Sequence, residues 1–238
     1  EFLMICDNIT VNKENHLCFA GFDTVEMAQK YGTPLYLMDE AKIRQHINEY
    51  KNAFKKYFPV GSAPEFASKA FSCRAIYRIM KQEKMNVDVV SKGEIFTAFS
   101  ASFPMENVFF HGNNKTEAEI RFAITSGVGR LVADNPCDLR RISRVAVSLD
   151  KTASIFMRIT PGIDAHTHDF VKTGQIDSKF GLALETGEAM EAVKAALAAS
   201  NLDLQGVHCH IGSQIFDTEP FGLAAKVMVE FMSDVREE

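Results

Sequence analysis

The residue of this chain best placed for covalent chemistry is a lysine set behind an apolar pair, in Phe66-Ala67-Ser68-Lys69-Ala70. An amine that leaves a strand and enters a barrel mouth can be desolvated there, which favours its neutral, nucleophilic form and lets it attack an aldehyde. The plainer alternative is an ordinary exposed lysine. Further on, Val207-His208-Cys209-His210-Ile211-Gly212-Ser213-Gln214 reads as the end of a strand turning through glycine into a hydroxyl residue. In an extended strand His208 and His210 share a face. Such a pair can ligate a metal, lay one flat ring against a planar cofactor, or sit hydrogen-bonded in a core; a metal would need further ligands that the sequence does not place nearby. His166 and His168 repeat the spacing inside a polar stretch, where exposure is the default. Gly212-Ser213 is the kind of turn whose amides and hydroxyl can hold a phosphate.

These residues need a scaffold, and the apolar pattern supplies one. From residue 33 onward, short β-branched or aromatic runs alternate with segments of helical period, as in βα units around a parallel sheet. Six strands are expected at 65–69, 87–90, 108–111, 131–134, 155–159 and 207–211, most of them apolar nearly throughout. Helices are expected around 75–85, 94–102, 116–126, 138–147 and 187–199, with a last one opening at Thr218-Glu219-Pro220. A first helix, capped by Asp39, carries Ile43, Ile47, Tyr50, Phe54 and Tyr57 on one stripe that should be covered. The polar stretch 162–181 is long enough to suggest function. The fold class expected is α/β, a TIM-type (β/α)8 barrel; a closed one needs eight strands, so about six βα units make it incomplete and the chain a piece of a longer protein. Residues 1–32, with a strand at 17–19 and a helix near 24–31, form a separate N-terminal segment, and 33–238 the partial barrel. Glu1-Phe2-Leu3 ahead of Met4 reads as a cloning remnant.

Parallel barrels work at the carboxyl ends of their strands. The residues placed there are Lys69, Asp88, His111, Asp134, Arg158 and His210. Asp88 and Asp134 can each cap the following helix instead. Arg158, a guanidinium ending an apolar strand, must find a carboxylate, phosphate or other acceptor.

Composition excludes several alternatives. With 238 residues and 46% hydrophobic content, the chain can bury one substantial core. A formal net charge of -5 gives no basic field for nucleic acid. No apolar run approaches the ~18 residues of a membrane span, and a cytoplasmic location is expected. Five cysteines, odd in number and without a C-x-x-C pair, suit reduced and mostly buried thiols.

Several of these segments together resemble one family. Phe66-Ala67-Ser68-Lys69-Ala70 is similar to the cofactor-lysine motif of the alanine-racemase-like pyridoxal-phosphate enzymes. Asp88-Val89-Val90-Ser91-Lys92-Gly93-Glu94, Phe110-His111-Gly112-Asn113-Asn114-Lys115 and the His208–Gln214 segment resemble successive motifs of the diaminopimelate decarboxylases. Asp164-Ala165-His166-Thr167-His168, Thr173-Gly174-Gln175 and Asp177-Ser178-Lys179-Phe180-Gly181 form the most specific match. The likeness runs in order from about residue 33 to the end.

The resemblance implies a pyridoxal-phosphate-dependent carboxy-lyase that converts meso-2,6-diaminopimelate to L-lysine and carbon dioxide in lysine biosynthesis. Lys69 would carry the cofactor, His210 would stack on its ring, and Ser213 would hydrogen-bond its phosphate. Asp88, His111 and Arg158 would line the pocket. A homodimer is implied for the full-length protein, with a small amino acid as substrate and neither nucleic acid nor membrane as partner. Members of the family carry, further along, a glycine-rich phosphate loop, an acid that pairs with the pyridine nitrogen, and a β-domain with the general-acid cysteine. None of these is in this chain, so the resemblance implies that these 238 residues alone do not turn over. Rival readings are a decarboxylase of carboxynorspermidine, ornithine or arginine, a non-catalytic pyridoxal-phosphate barrel, and a metal-dependent barrel hydrolase.

Overall fold

The computed structural model describes residues 6–163, 180–213 and 215–238. By internal contacts the chain divides into two compact units, Glu1–Pro64 and Glu65–Glu238.

The first unit holds three short antiparallel strands, β1 (Ile9–Val11), β2 (Leu17–Phe19) and β3 (Phe22–Asp23), then helices α1 (Thr24–Tyr31) and α2 (Glu40–Tyr57). Asp23 caps α1 by accepting from the amides of Val25 and Glu26. Asp39 caps α2 at the Lys42 amide, 3.1 Å away, and also accepts from Asn8 Nδ2 at 2.9 Å. With the Lys42–Asp7 ion pair at 2.7 Å, these contacts tie the start of α2 to residues 7 and 8. By internal contacts this unit runs to Pro64. Of the α2 stripe, Ile47 is buried, Ile43 and Phe54 are half-buried, and Tyr50 and Tyr57 are exposed.

The second unit is a parallel sheet with helices between its strands. The strands are β4 (Glu65–Ala67), β5 (Asn86–Val89), β6 (Val108–Phe110), β7 (Arg130–Ala133), β8 (Ala153–Thr160), β9 (Leu182–Ala183) and β10 (Leu202–His208). They pair in the order β10-β8-β7-β6-β5-β4, with the two-residue β9 beside β8. Helices α3 (Arg74–Gln82), α4 (Lys92–Ser100), α5 (Glu117–Thr125), α6 (Pro136–Ser148), α7 (Glu188–Ala198) and α8 (Glu219–Glu237) complete the units. All six expected strand regions are present. The last runs 202–208 rather than 207–211, because Leu202 and Leu204 alternate with polar neighbours and a register shift between Leu204 and Gly206 breaks the apolar run.

Alternation sorts the sheet into two faces. Val87, Val89, Val108, Phe110, Leu131, Ala133, Ile155, Met157 and Ile159 are buried and form the core with Ile95, Ile120, Ile142 and Val193 of the helices. The other face carries Asp88, Phe109, Arg130, Phe156, Arg158 and His208, in a register set by the pairs Asp88↔Phe109, Phe109↔Arg130 and His208↔Arg158. Arg130 lies over the rings of Phe109 and Phe156, at 5.0 and 5.6 Å.

Among the described residues no helix is long and apolar enough to cross a membrane. All five cysteines are free; only Cys18 is buried, Cys73 and Cys209 are intermediate, and Cys6 and Cys137 are exposed, against the expectation of mostly buried thiols.

Candidate functional site

The carboxyl ends of the strands collect the expected polar residues on one face. Lys69 sits in a short 3-10 turn, Ser68–Ala70, directly after β4. The Ser68 amide donates to Asp88 Oδ1 at 2.9 Å, and Asp88 is also close enough to Lys69 to feel its charge. Burial pushes the Asp88 carboxyl up, while the Ser68 amide and Lys69 draw it back down. Asp88 therefore braces the lysine turn and does not cap α4, whose cap is Ser91. Lys69 itself is exposed, not desolvated as the sequence suggested. Its strand β4 pairs with β5.

His111 follows β6, with its amide bonded to Val89 O at 2.8 Å. Its ring meets that of His208 edge to face, centroids 4.6 Å apart. Asp134 follows β7, and its Oδ1 stands 3.6 Å from Arg158 Nη1, with both side chains nearly buried. Asn135, not Asp134, caps α6. Arg158 also lies 4.6 Å from the Phe180 ring centre. Next to it Gly181, at φ +74°, leaves no room for a Cβ, which would come 2.8 Å from Thr160 Oγ1 and 3.2 Å from Arg158 Cγ. The carboxylate that Arg158 was expected to find is thus Asp134, held as an ion pair, and Phe180-Gly181 packs against Arg158.

Among the described residues, buried polar atoms without hydrogen-bond partners mark this face: His111 Nε2, His208 Nδ1 and Asp134 Oδ1. Such atoms are costly to leave unpaired and call for a partner. His210 lies two residues beyond the end of β10, exposed, so the shared-strand argument for His208 and His210 does not hold. It still comes within electrostatic reach of Lys69 and Arg158, whose charges add to desolvation in lowering its pKa. Ser213 is exposed just past Gly212, whose φ of +137° suits glycine. Residues 164–179 and Gln214, with His166, His168 and most of the stretch singled out as the most specific match, lie outside the described residues. Among the described residues no three His, Cys, Asp or Glu side chains gather as a metal set.

Sequence reasoning missed a charged layer beneath the face. Lys115 Nζ, buried, pairs with Asp138 Oδ2 at 2.6 Å and donates to Gly112 O at 2.5 Å and Val132 O at 2.7 Å. The same Asp138 oxygen accepts from the Asp134 amide at 3.2 Å. A signal was available: Asp138, Ile142 and Val145 fall on one stripe of α6, and a carboxylate on a buried stripe needs a cation.

The two histidines make a pH prediction. Burial, reinforced by neighbouring positive charge, pushes His111 down to about 2 and His208 to about 3. The unfolded chain takes up these protons near pH 6.5 and the folded chain does not, so stability is full above that pH and falls as pH drops below it. Each histidine then contributes a slope of up to about 1.4 kcal/mol per pH unit. Urea unfolding between pH 7 and 5 measures it, best in a Glu65→Gln chain, since desolvation and Asp88 raise the Glu65 carboxyl to about 8 and it titrates with the opposite sign. A flat or rising acid limb in that chain would refute the neutral-histidine assignment.

Comparison with known proteins bears on the same face. The profile of the family described as "Pyridoxal-dependent decarboxylase, pyridoxal binding domain" matches residues 40–238. A diaminopimelate decarboxylase of Halalkalibacterium halodurans is 46% identical over 228 residues, 96% of this chain and 52% of its own length. One from Bacillus methanolicus is 45% identical over 224 residues, 94% of this chain and 52% of its own length. The crystal structure of the M. jannaschii diaminopimelate decarboxylase in complex with L-lysine superposes with a TM-score of 0.88 at 35% identity, covering 97% of this chain and 54% of that one. The chain spans about half the length of the curated relatives it matches.

Proposed function

The chain belongs to the pyridoxal-dependent decarboxylases through their pyridoxal-binding domain, and from that premise we propose that it serves the decarboxylation of meso-2,6-diaminopimelate to L-lysine and carbon dioxide, with Lys69 carrying pyridoxal phosphate. The observation that carries the reading is the convergence of Lys69, Asp88, His111, Arg158 and His210 on one end of a parallel sheet, where His111 Nε2 and His208 Nδ1 are buried without hydrogen-bond partners among the described residues and Asp134 faces Arg158. An amine, a guanidinium and imidazole rings suit an anionic, aromatic aldehyde. The residues present therefore fit the cofactor.

When bound, pyridoxal phosphate supplies the conjugated ring that takes up the electron pair released as carbon dioxide leaves. Lys69 binds the aldehyde through Nζ, and Asp88 holds the turn that presents it. His210 offers a flat ring face, Ser213 a hydroxyl for the phosphate, and Arg158, oriented by Asp134 and Phe180, a fixed positive charge. His111 and His208 stay uncharged at neutral pH and add no repulsion to the two cations. The substrate, a cytoplasmic setting, a homodimer, and the packing of residues 1–32 with a β-domain belong to the same proposal.

Product analysis tests it. The protein carrying this chain, given pyridoxal phosphate and in turn meso-diaminopimelate, carboxynorspermidine, ornithine and arginine, is expected to release lysine from the first and little from the rest. Preferential conversion of ornithine or arginine would move the protein to another branch of the family.

A further inference from the structure

A chain of hydroxyls runs beneath the lysine turn and takes no part in the reading above. Tyr77, on the first turn of α3, is fully buried against the core, with Phe103 edge-on at 6.2 Å. Its phenol donates to Ser68 Oγ at 3.0 Å. Having spent its single proton there, the phenol oxygen is left to accept from Ser72 Oγ at 3.2 Å. Ser68, also fully buried, in turn donates its amide to Asp88 Oδ1 at 2.9 Å.

Ser68 and Ser72 flank the exposed Lys69, and β4, which leads into the turn, pairs with β5. We infer that Tyr77 is a positioning residue: through Ser68 and Ser72 it pins the Lys69 turn from below while Asp88 pins it from the side, so the amine is presented in one place. Burial raises the phenol's pKa, which keeps it a donor across the working range of pH. A phenylalanine would fill the same space without joining the two serines.

The inference rests on Lys69 as the cofactor lysine, and two measurements separate them. In Tyr77→Phe, amide hydrogen exchange at Ser68 and Lys69 is expected to speed up on the order of tenfold, with the core helices unchanged. Pyridoxal phosphate titration, followed by the absorbance of the lysine-bound form, is expected to show apparent affinity weakened about tenfold through lost preorganisation. Ser68→Ala should give the same two changes, and Tyr77→Phe combined with Ser68→Ala should be no worse than either alone. Ser68→Ala, which leaves the aromatic core intact, also serves if Tyr77→Phe loses the fold. Unchanged exchange and affinity in both single variants overturn the role of Tyr77 and leave Lys69 standing. A wild-type chain with no lysine-bound band overturns the reading of Lys69 itself.

Discussion

Replacing Lys69 with arginine is expected to lower kcat/KM of the protein carrying this chain by on the order of 10^3-fold or more, while circular dichroism and the unfolding midpoint stay near wild type. Arginine keeps the charge that Asp88 and His210 feel but cannot condense with an aldehyde. At about 1.36 kcal/mol per factor of ten, the loss amounts to about 4 kcal/mol or more of transition-state stabilisation. Lys69 is exposed and packs little, so no comparable effect on folding should accompany it. Activity within tenfold of wild type would show that another residue holds the cofactor.

Removing Lys115 should produce the largest effect on stability. Its ammonium and the Asp138 carboxylate are each about 1% exposed. Lys115→Met would leave that carboxylate with Arg141, 4.0 Å away, as its remaining paired cation among the described residues, and would strip a donor from Gly112 O and Val132 O. Breaking a buried pair from one side costs about 3–5 kcal/mol. Lys115→Met with Asp138→Leu should recover much of this, since replacing both partners by apolar groups removes the uncompensated charge. Recovery will be partial, because the Asp134 amide then loses its acceptor and Asp134, the partner of Arg158, is less firmly set. Urea unfolding of the three variants measures the cycle. A Lys115→Met chain within about 1 kcal/mol of wild type would contradict the assignment of a buried pair.

Much of the scaffold could be read from the sequence because each strand of a doubly covered sheet advertises itself as an apolar run, and each helix start as a capping residue. Val108–Phe110 and the Thr116 capping box are cases where both signals were strong. The last strand was placed late because its partner-facing residues alternate with Asp203 and Gln205, and its register shifts at Gly206. The candidate positions were readable as polar residues ending apolar strands, Lys69, Asp88, His111, Asp134, Arg158 and His210; that His208, not His210, shares the sheet face was not. Neither was the internal wiring of the site. Which carboxylate caps a helix and which braces a neighbour depends on distances of an ångström or so between segments far apart in sequence. Hence Ser68 reaching Asp88, and Asp134 facing Arg158, are features of the folded chain that no single segment carries. Tyr77 gave no sequence signal beyond an aromatic at a core position of α3.

Lys69, at the end of β4, is the proposed anchor of the cofactor's aldehyde, and the other proposed roles depend on it. The most direct measurement is borohydride reduction of the chain with pyridoxal phosphate, followed by peptide mapping. The account predicts a stable pyridoxyl group on the peptide bearing Lys69, lost in Lys69→Arg. Label spread over surface lysines, or retained undiminished in that variant, would contradict it.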